Sequence, residues 1–209
     1  MSADIEKIKS VVAEYEGEKR FSHTLAVMRE AEYISRKCFF SEEKAEKVLL
    51  AALLHDITKK FGEREQEEMF RKYGIDVPAS APTMHEKTGA HFARELFGAG
   101  VVDGEVFSAI YCHTTGKEHM SMLDMAVFIA DYTEETRKHA ACREMREYLH
   151  KECEKIDCEQ AAESVLRDVT LRIIGNTLCY LLREKQQIDI GTVRSWNSMI
   201  LDLGVTSER

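Results

Sequence analysis

Proline is almost missing from this chain: two residues in 209, both inside residues 74–84 (GIDVPASAPTM). The residue that most reliably breaks helices is therefore absent elsewhere, which suits a helical chain. No run approaches the roughly 18–20 uninterrupted apolar residues of a membrane span, so a membrane protein is not expected. Residues Met1–Lys9 are charged and amphipathic and lack the apolar core of a signal peptide. The six cysteines (38, 112, 142, 153, 158 and 179) form no CxxC, and the spacing of Cys153 and Cys158 fits neither a zinc ribbon nor a disulfide framework. Reduced thiols serving mostly as small core fillers, in a cytoplasmic protein, are the expectation. Internal repeats, low-complexity segments and the alternation of strands are missing too. Charge is mixed, with 29 basic against 37 acidic residues and a net −8, which makes a nucleic-acid scaffold a poor expectation while allowing a local basic pocket. An apolar content of 44% excludes a wholly disordered chain.

What the sequence does have is helical periodicity almost throughout, and eight histidines. The spacing predicts helices near 3–16, 20–38, 42–56, 63–73, 85–98, 103–114, 121–132, 134–153, 157–184 and 190–203. Ser41 is an expected N-cap, and Ser121 with Asp124 reads as a capping box. Gly62, Gly74, Gly98–Gly100 and Gly116 punctuate the ends, and residues 74–84 are the clear loop. The charge-rich stretch 133–155 reads as a solvated helix. A chain of this length forms one all-α domain and buries about 70% of its unfolded surface, so folding needs no disulfide or structural metal.

Several apolar stripes end in ionisable residues. Val27, Ala31 and Ile34 define an inward stripe that begins, one turn earlier, at His23. The run Leu49–Leu54 ends in adjacent His55 and Asp56, Val106 and Ile110 lead to His113, and Leu123, Val127 and Ala130 lead to Asp131. Any one of these has a bland explanation as a hydrogen-bonded core histidine or a capping carboxylate. Buried carboxylates are costly unless a cation or metal compensates them, and the interruption recurs in four helices. Imidazoles with carboxylates make a mixed N/O donor set suited to a first-row divalent ion, iron or manganese more than a closed structural zinc site.

The order His23 … His55-Asp56 … Asp131 resembles the HD superfamily of metal-dependent phosphohydrolases, which are all-helical. Arg20-Phe-Ser-His23, Leu53-Leu-His55-Asp56-Ile-Thr-Lys59, His85-Glu-Lys-Thr-Gly89-Ala90, His113-Thr114-Thr-Gly116, Met120-Ser121-Met-Leu123-Asp124 and Ile129-Ala130-Asp131-Tyr132 … Glu134 … Arg137 resemble its YqeK family, bacterial symmetrical diadenosine tetraphosphate hydrolases. The resemblance spans residues 18–140, the expected phosphohydrolase core, with 1–17 and 141–209 as helical extensions packed on the same single compact domain. It implies iron, with manganese as the alternative, held by His23, His55, Asp56 and Asp131. His85 and His113 would surround the metal-bound phosphate, where related enzymes sometimes hold a second metal, and Arg20, Lys59, Thr114 and Arg137 would meet phosphate oxygens. The chain departs from the family in lacking a proline before Arg137. Past residue 140 only Thr192-Val-Arg194 … Asn197 echoes the pattern. Base contacts are expected from 171–179, with Ile174 as an apolar base wall.

These residue types suit phosphoanhydride hydrolysis, which needs an activated water, a neutralised phosphoryl group and a protonated leaving group. Asp56 can ligate while orienting the nucleophile. Lys59 follows it by three residues, and Arg20 precedes His23 by one turn. Each cation has a plain surface reading too: Lys59 solvated beside Lys60, Arg20 paired with Glu16 or Glu18, Arg137 paired with Glu134. His85 and His113 are the expected proton movers. His91, His119, His139 and His150 complete no ligand spacing. The expected ligand is a small dinucleoside polyphosphate or ADP, cleaved symmetrically to two ADP. Another HD nucleotide hydrolase (of deoxynucleotides or alarmones), a non-catalytic nucleotide-binding module and a di-iron oxygenase are the competing readings. Oligomeric state stays open, a homodimer included.

Overall fold

A computed structural model describes residues 4–38, 40–76 and 81–202. Among these residues there are helices and a single short 3₁₀ turn, with no strand: α1 (Ile5–Lys37), α2 (Glu42–Leu54), α3 (Glu63–Tyr73), the turn Ala81–Thr83, α4 (Met84–Phe97), α5 (Gly104–Cys112), α6 (Met122–Thr133), α7 (Ala140–Cys153), α8 (Glu159–Arg183) and α9 (Ile190–Asp202). The all-α expectation holds. Part of the proline-containing loop, residues 77–80, lies outside the described residues.

The two helices predicted for 3–38 form one run broken at Gly17, whose φ of 64° and ψ of 166° no helix tolerates. Ser41 caps α2 by accepting from the Lys44 amide, and Ser121 and Asp124 form the reciprocal capping box of α6. Helix 134–153 starts six residues later than predicted, at Ala140. Glu134 caps the end of α6 and its carboxylate turns onto the Thr136 backbone amide and hydroxyl, while the Arg146 guanidinium donates to the carbonyls of Thr133 and Glu134. Those bonds satisfy the backbone outside a helix, so residues 134–139 become a loop. Nor is α7 simply solvated: Cys142, Met145, Leu149 and Cys153 form a buried face against α6 and α8.

The inward stripes are buried as expected, from Val27, Ala31 and Ile34 through Leu53 and Leu54 to Ile110 and Val127. Helix α1 packs along α2 and α6, α2 also touches α4 and α5, and α6 is covered on its other side by α7 and α8. Four of the six free cysteines are buried, and Cys158 and Cys179 are exposed. Among the described residues, no helix is long and apolar enough to cross a membrane.

Candidate metal and phosphate site

The ends of the apolar helices converge. Helices α2 and α5 stop one residue before His55 and His113, each of which turns its Nδ1 back onto a carbonyl of its own last turn: His55 onto Ala52 and His113 onto Ile110, both at 2.7 Å. With Nδ1 so tied, each Nε2 points outward: that of His55 has no partner and keeps a free lone pair, and that of His113 meets His85 Nε2. His85 lies in the first turn of α4, Asp131 in the last turn of α6, and His23 in the second half of α1. Asp56 is in the turn after α2, and the Lys59 amide bonds its carbonyl at 2.8 Å, which carries Lys59 round to the same side.

Asp56 is the hub. Its Oδ2 lies 2.9 Å from the Arg20 guanidinium, 3.5 Å from His55 Nε2 and 3.8 Å from His23 Nε2, and its Oδ1 lies 3.2 Å from His85 Nε2 and 3.7 Å from His113 Nε2. Asp131 Oδ1 stands 3.0 Å from His23 Nε2 and 3.8 Å from His55 Nε2, and Arg137 reaches it at 2.5 Å. Although close to Asp131, His23 Nε2 is not directed along a hydrogen bond. It and His55 Nε2 are buried ring nitrogens without a hydrogen-bond partner. A buried polar atom is normally satisfied, and two imidazole nitrogens facing two carboxylate oxygens are placed to share an ion between them. His23, His55 and Asp131 bring their donor atoms within 4.8 Å of one another, and so do His55, Asp56 and His113. The donor set fits a divalent metal.

Charge is arranged around this cluster. Burial opposes ionisation of Asp56, but His55, His113 and His85 outweigh it and hold the carboxyl well below the usual range. Asp131 is likewise held low against burial, chiefly by Arg137 and His23. Burial brings His55 and His85 down to about 4, so both rings are neutral at pH 7, as ligands and acceptors must be. His113 moves up despite its burial, because the Asp56 carboxylate beside it favours its charged form. Its Nε2 lies 3.0 Å from His85 Nε2, and the Lys59 ammonium lies 3.0–3.1 Å from both His85 nitrogens. Lys59 is itself pushed down by burial. Thr114 Oγ1 lies 3.3 Å from His85 Nε2.

The expected residues His23, His55, Asp56, Lys59, His85, His113, Thr114, Asp131, Arg20 and Arg137 thus come together. Arg20 pairs with Asp56, and Arg137 meets its sequence neighbour Glu134 at 3.7 Å but also turns inward; even without the proline, the loop held by Glu134 aims it at both the carboxylate and the carbonyl of Asp131. Ile174 is not among them. It is fully buried in the core; the cavity beside Tyr132 is lined on α8 by Asn176, Thr177, Cys179, Tyr180 and Arg183. Residue 174 falls on the buried stripe of α8 with Leu166, Val169, Thr170 and Ile173, a helical phase that reading single residues did not resolve.

Two carboxylates carry roles that the motifs alone did not assign. Glu134, fully buried, accepts from His23 Nδ1 at 3.1 Å, so Nε2 is left to face the cluster. Its place three residues after Asp131 was the available signal. Glu86 is buried too and accepts from the amides of Thr114 and Thr115 and the Thr115 hydroxyl, fixing the turn beyond His113. Glu134→Gln removes the charge that orients His23. It is expected to weaken metal binding by about 10–100-fold, as read by competition with a chelating dye, with little change in the melting temperature of the metal-free protein. Unchanged affinity would deny Glu134 that role.

Residues 20–136 match the HD domain. The chain belongs to the HD-domain family. As a member, it is 28% identical over 194 residues to the symmetrical bis(5'-nucleosyl)-tetraphosphatase of Halalkalibacterium halodurans, covering 88% of this chain and 91% of that one. A protein of the same name from Staphylococcus aureus is 31% identical over 150 residues, covering 70% and 75%. The crystal structure of a predicted HD superfamily hydrolase involved in NAD metabolism from Clostridium acetobutylicum superposes with a TM-score of 0.80 at 26% identity, over 97% of this chain and all of the other. The YqeK-like resemblance of the motifs is borne out by these relatives, and HD-domain membership implies a divalent metal at the cluster just described.

Proposed function

We propose that this HD-domain protein hydrolyses diadenosine tetraphosphate, or a closely related dinucleoside polyphosphate, symmetrically into two ADP. The observation that carries the reading is the pair of partnerless imidazole nitrogens facing Asp56 and Asp131, with Arg20, Lys59 and Arg137 around them. A cavity of about 960 Å³ lined by Arg20, His23 and Arg137 opens beside it and has room for a polyphosphate chain. The relatives' names favour this substrate over a deoxynucleotide, an alarmone, a purely regulatory ligand or oxygenase chemistry.

His23, His55, Asp56 and Asp131 would hold the ion, iron before manganese. A divalent ion there supplies Lewis acidity and a more acidic water. Asp56 orients the attacking water towards a central phosphorus. Arg20, Lys59 and Arg137 neutralise the phosphate oxygens as charge builds. As the P–O bond to the bridging oxygen breaks, the leaving ADP takes a proton from His113, while neutral His85 and Thr114 hold the phosphate in place. A second ion, which His85 and His113 would hold together with Asp56, is the competing arrangement, and two metals per chain would favour it.

The direct test is to incubate iron-loaded protein with diadenosine tetraphosphate and resolve the products by ion exchange. ADP alone is expected. AMP with ATP would mean asymmetrical cleavage and would overturn the reading, as would tight binding without products.

A further inference from the structure

Glu16 is a buried carboxyl that the metal cluster does not use. It ends the first half of α1, immediately before the Gly17 break, and is 1% exposed. Its Oε2 accepts a 2.7 Å hydrogen bond from the Thr24 hydroxyl, whereas its Oε1 is buried with no partner at all. Among the described residues, the buried side-chain atoms in that condition are Thr170 Oγ1, the two metal-facing imidazole nitrogens and this oxygen. Glu16 also lines the cavity that opens on Arg20, His23 and Arg137.

A lone ionised carboxylate oxygen in such a place would be expensive and would repel a phosphate chain. A neutral carboxylic acid would do neither. Its carbonyl oxygen accepts from Thr24, which is what Oε2 does, and its hydroxyl falls on Oε1, the oxygen without a partner. We propose that Glu16 is a substrate-recognition residue, whose protonated Oε1 donates a hydrogen bond to a phosphate oxygen of the polyphosphate bound in this cavity. The inference rests on the phosphate-binding reading given above.

The surroundings favour the acid form. Burial pushes the Glu16 carboxyl up to about 7 and Asp56 adds to the rise, against the Thr24 hydrogen bond, His23 and Arg20. Lys60, from the turn beyond α2, packs against Gly17 so closely that a Cβ there would meet its ammonium at 2.9 Å. Glu18, Lys19, Glu134, Arg137 and Lys138 complete the charged wall of the cavity. As the acid the group is a donor; once ionised, it is an anion facing a polyanion.

The test uses metal-loaded protein, with inorganic tripolyphosphate binding followed by calorimetry at pH 6 and pH 8.5, and KM for diadenosine tetraphosphate across the same range. Wild-type affinity is expected to fall about tenfold between the two pH values beyond the ligand's own titration, which every variant shares. Glu16→Gln, whose amide can still accept from Thr24 and donate to phosphate, should bind within about twofold of wild type at pH 6 and lose that extra fall. Glu16→Leu should bind about fivefold more weakly at pH 6, an effect seen in KM more than in kcat. A merely structural role would not move the pH profile. If Glu16→Gln keeps the wild-type fall, or Glu16→Leu binds as tightly as wild type at pH 6, the proposal is overturned. Should Glu16→Leu fail to fold, Glu16→Gln alone decides it. Tripolyphosphate affinity that follows Glu16 in a protein that releases no ADP would support this residue's role while sinking the hydrolase reading.

Discussion

Asp56→Asn is expected to abolish turnover, by about 10³-fold or more, or about 4 kcal/mol of barrier, and to strip the protein of its metal. The variant keeps the side chain's shape while removing the charge that five groups face: Arg20 and His55 with His23 on one oxygen, His85 and His113 on the other. One carboxylate holding two sides of a cluster cannot be compensated by its neighbours. The Arg20 guanidinium would also lose the buried carboxylate it pairs with at 2.9 Å, so stability should fall, by about 1–3 kcal/mol. Metal analysis, ADP release and a thermal melt measured together check the claim. A folded variant that retained its metal and a tenth of wild-type turnover would show that Asp56 is not the hub the geometry makes it.

His113→Ala separates chemistry from metal binding. Its Nδ1 is tied to Ile110 and its Nε2 looks at Asp56 Oδ1 and His85, whereas His23 and His55, on the face that Asp131 completes, look at Asp56 Oδ2. Removing it leaves that face intact. Turnover is expected to drop by about 10²–10⁴-fold, the usual contribution of a positioned acid, with metal content near wild type. The turn beyond it should survive, because Glu86 holds the amides of Thr114 and Thr115 independently of the ring. Full activity would remove His113 from the reaction; loss of metal along with activity would make it a ligand and favour the two-metal arrangement.

Much of this site could be read along the chain because its ligands sit at the ends of apolar stripes. An amphipathic helix announces its buried face by period, and an imidazole or carboxylate on that face is conspicuous, as with His23 below Val27 and Asp131 beyond Val127. Residues whose role lies in what they touch left a weaker mark. Glu134 reads as one more acid in an acidic, charged stretch, and only the fold brings it from the end of α6 to His23, 111 residues away. Glu86 is similarly ordinary until the turn after His113 closes over it. Arg20 and Arg137 each had a surface partner available in sequence, and the choice between readings belonged to the packing. Ile174 failed for the opposite reason: an apolar residue on a long helix is far more often core than ligand wall, and the phase of α8 turned it inward.

The near-absence of proline and the unbroken helical period determined an all-α chain, and the His–Asp pattern determined a divalent-metal centre, because both depend on local propensity and residue chemistry. Which cations meet which carboxylates, which nitrogen of each histidine is free, and that Glu16 is buried with one oxygen unmatched were decided by tertiary structure alone. Those facts depend on how helix ends approach each other. That approach is set by the shapes packed between them and by the exclusion of water, neither of which has a period in the sequence.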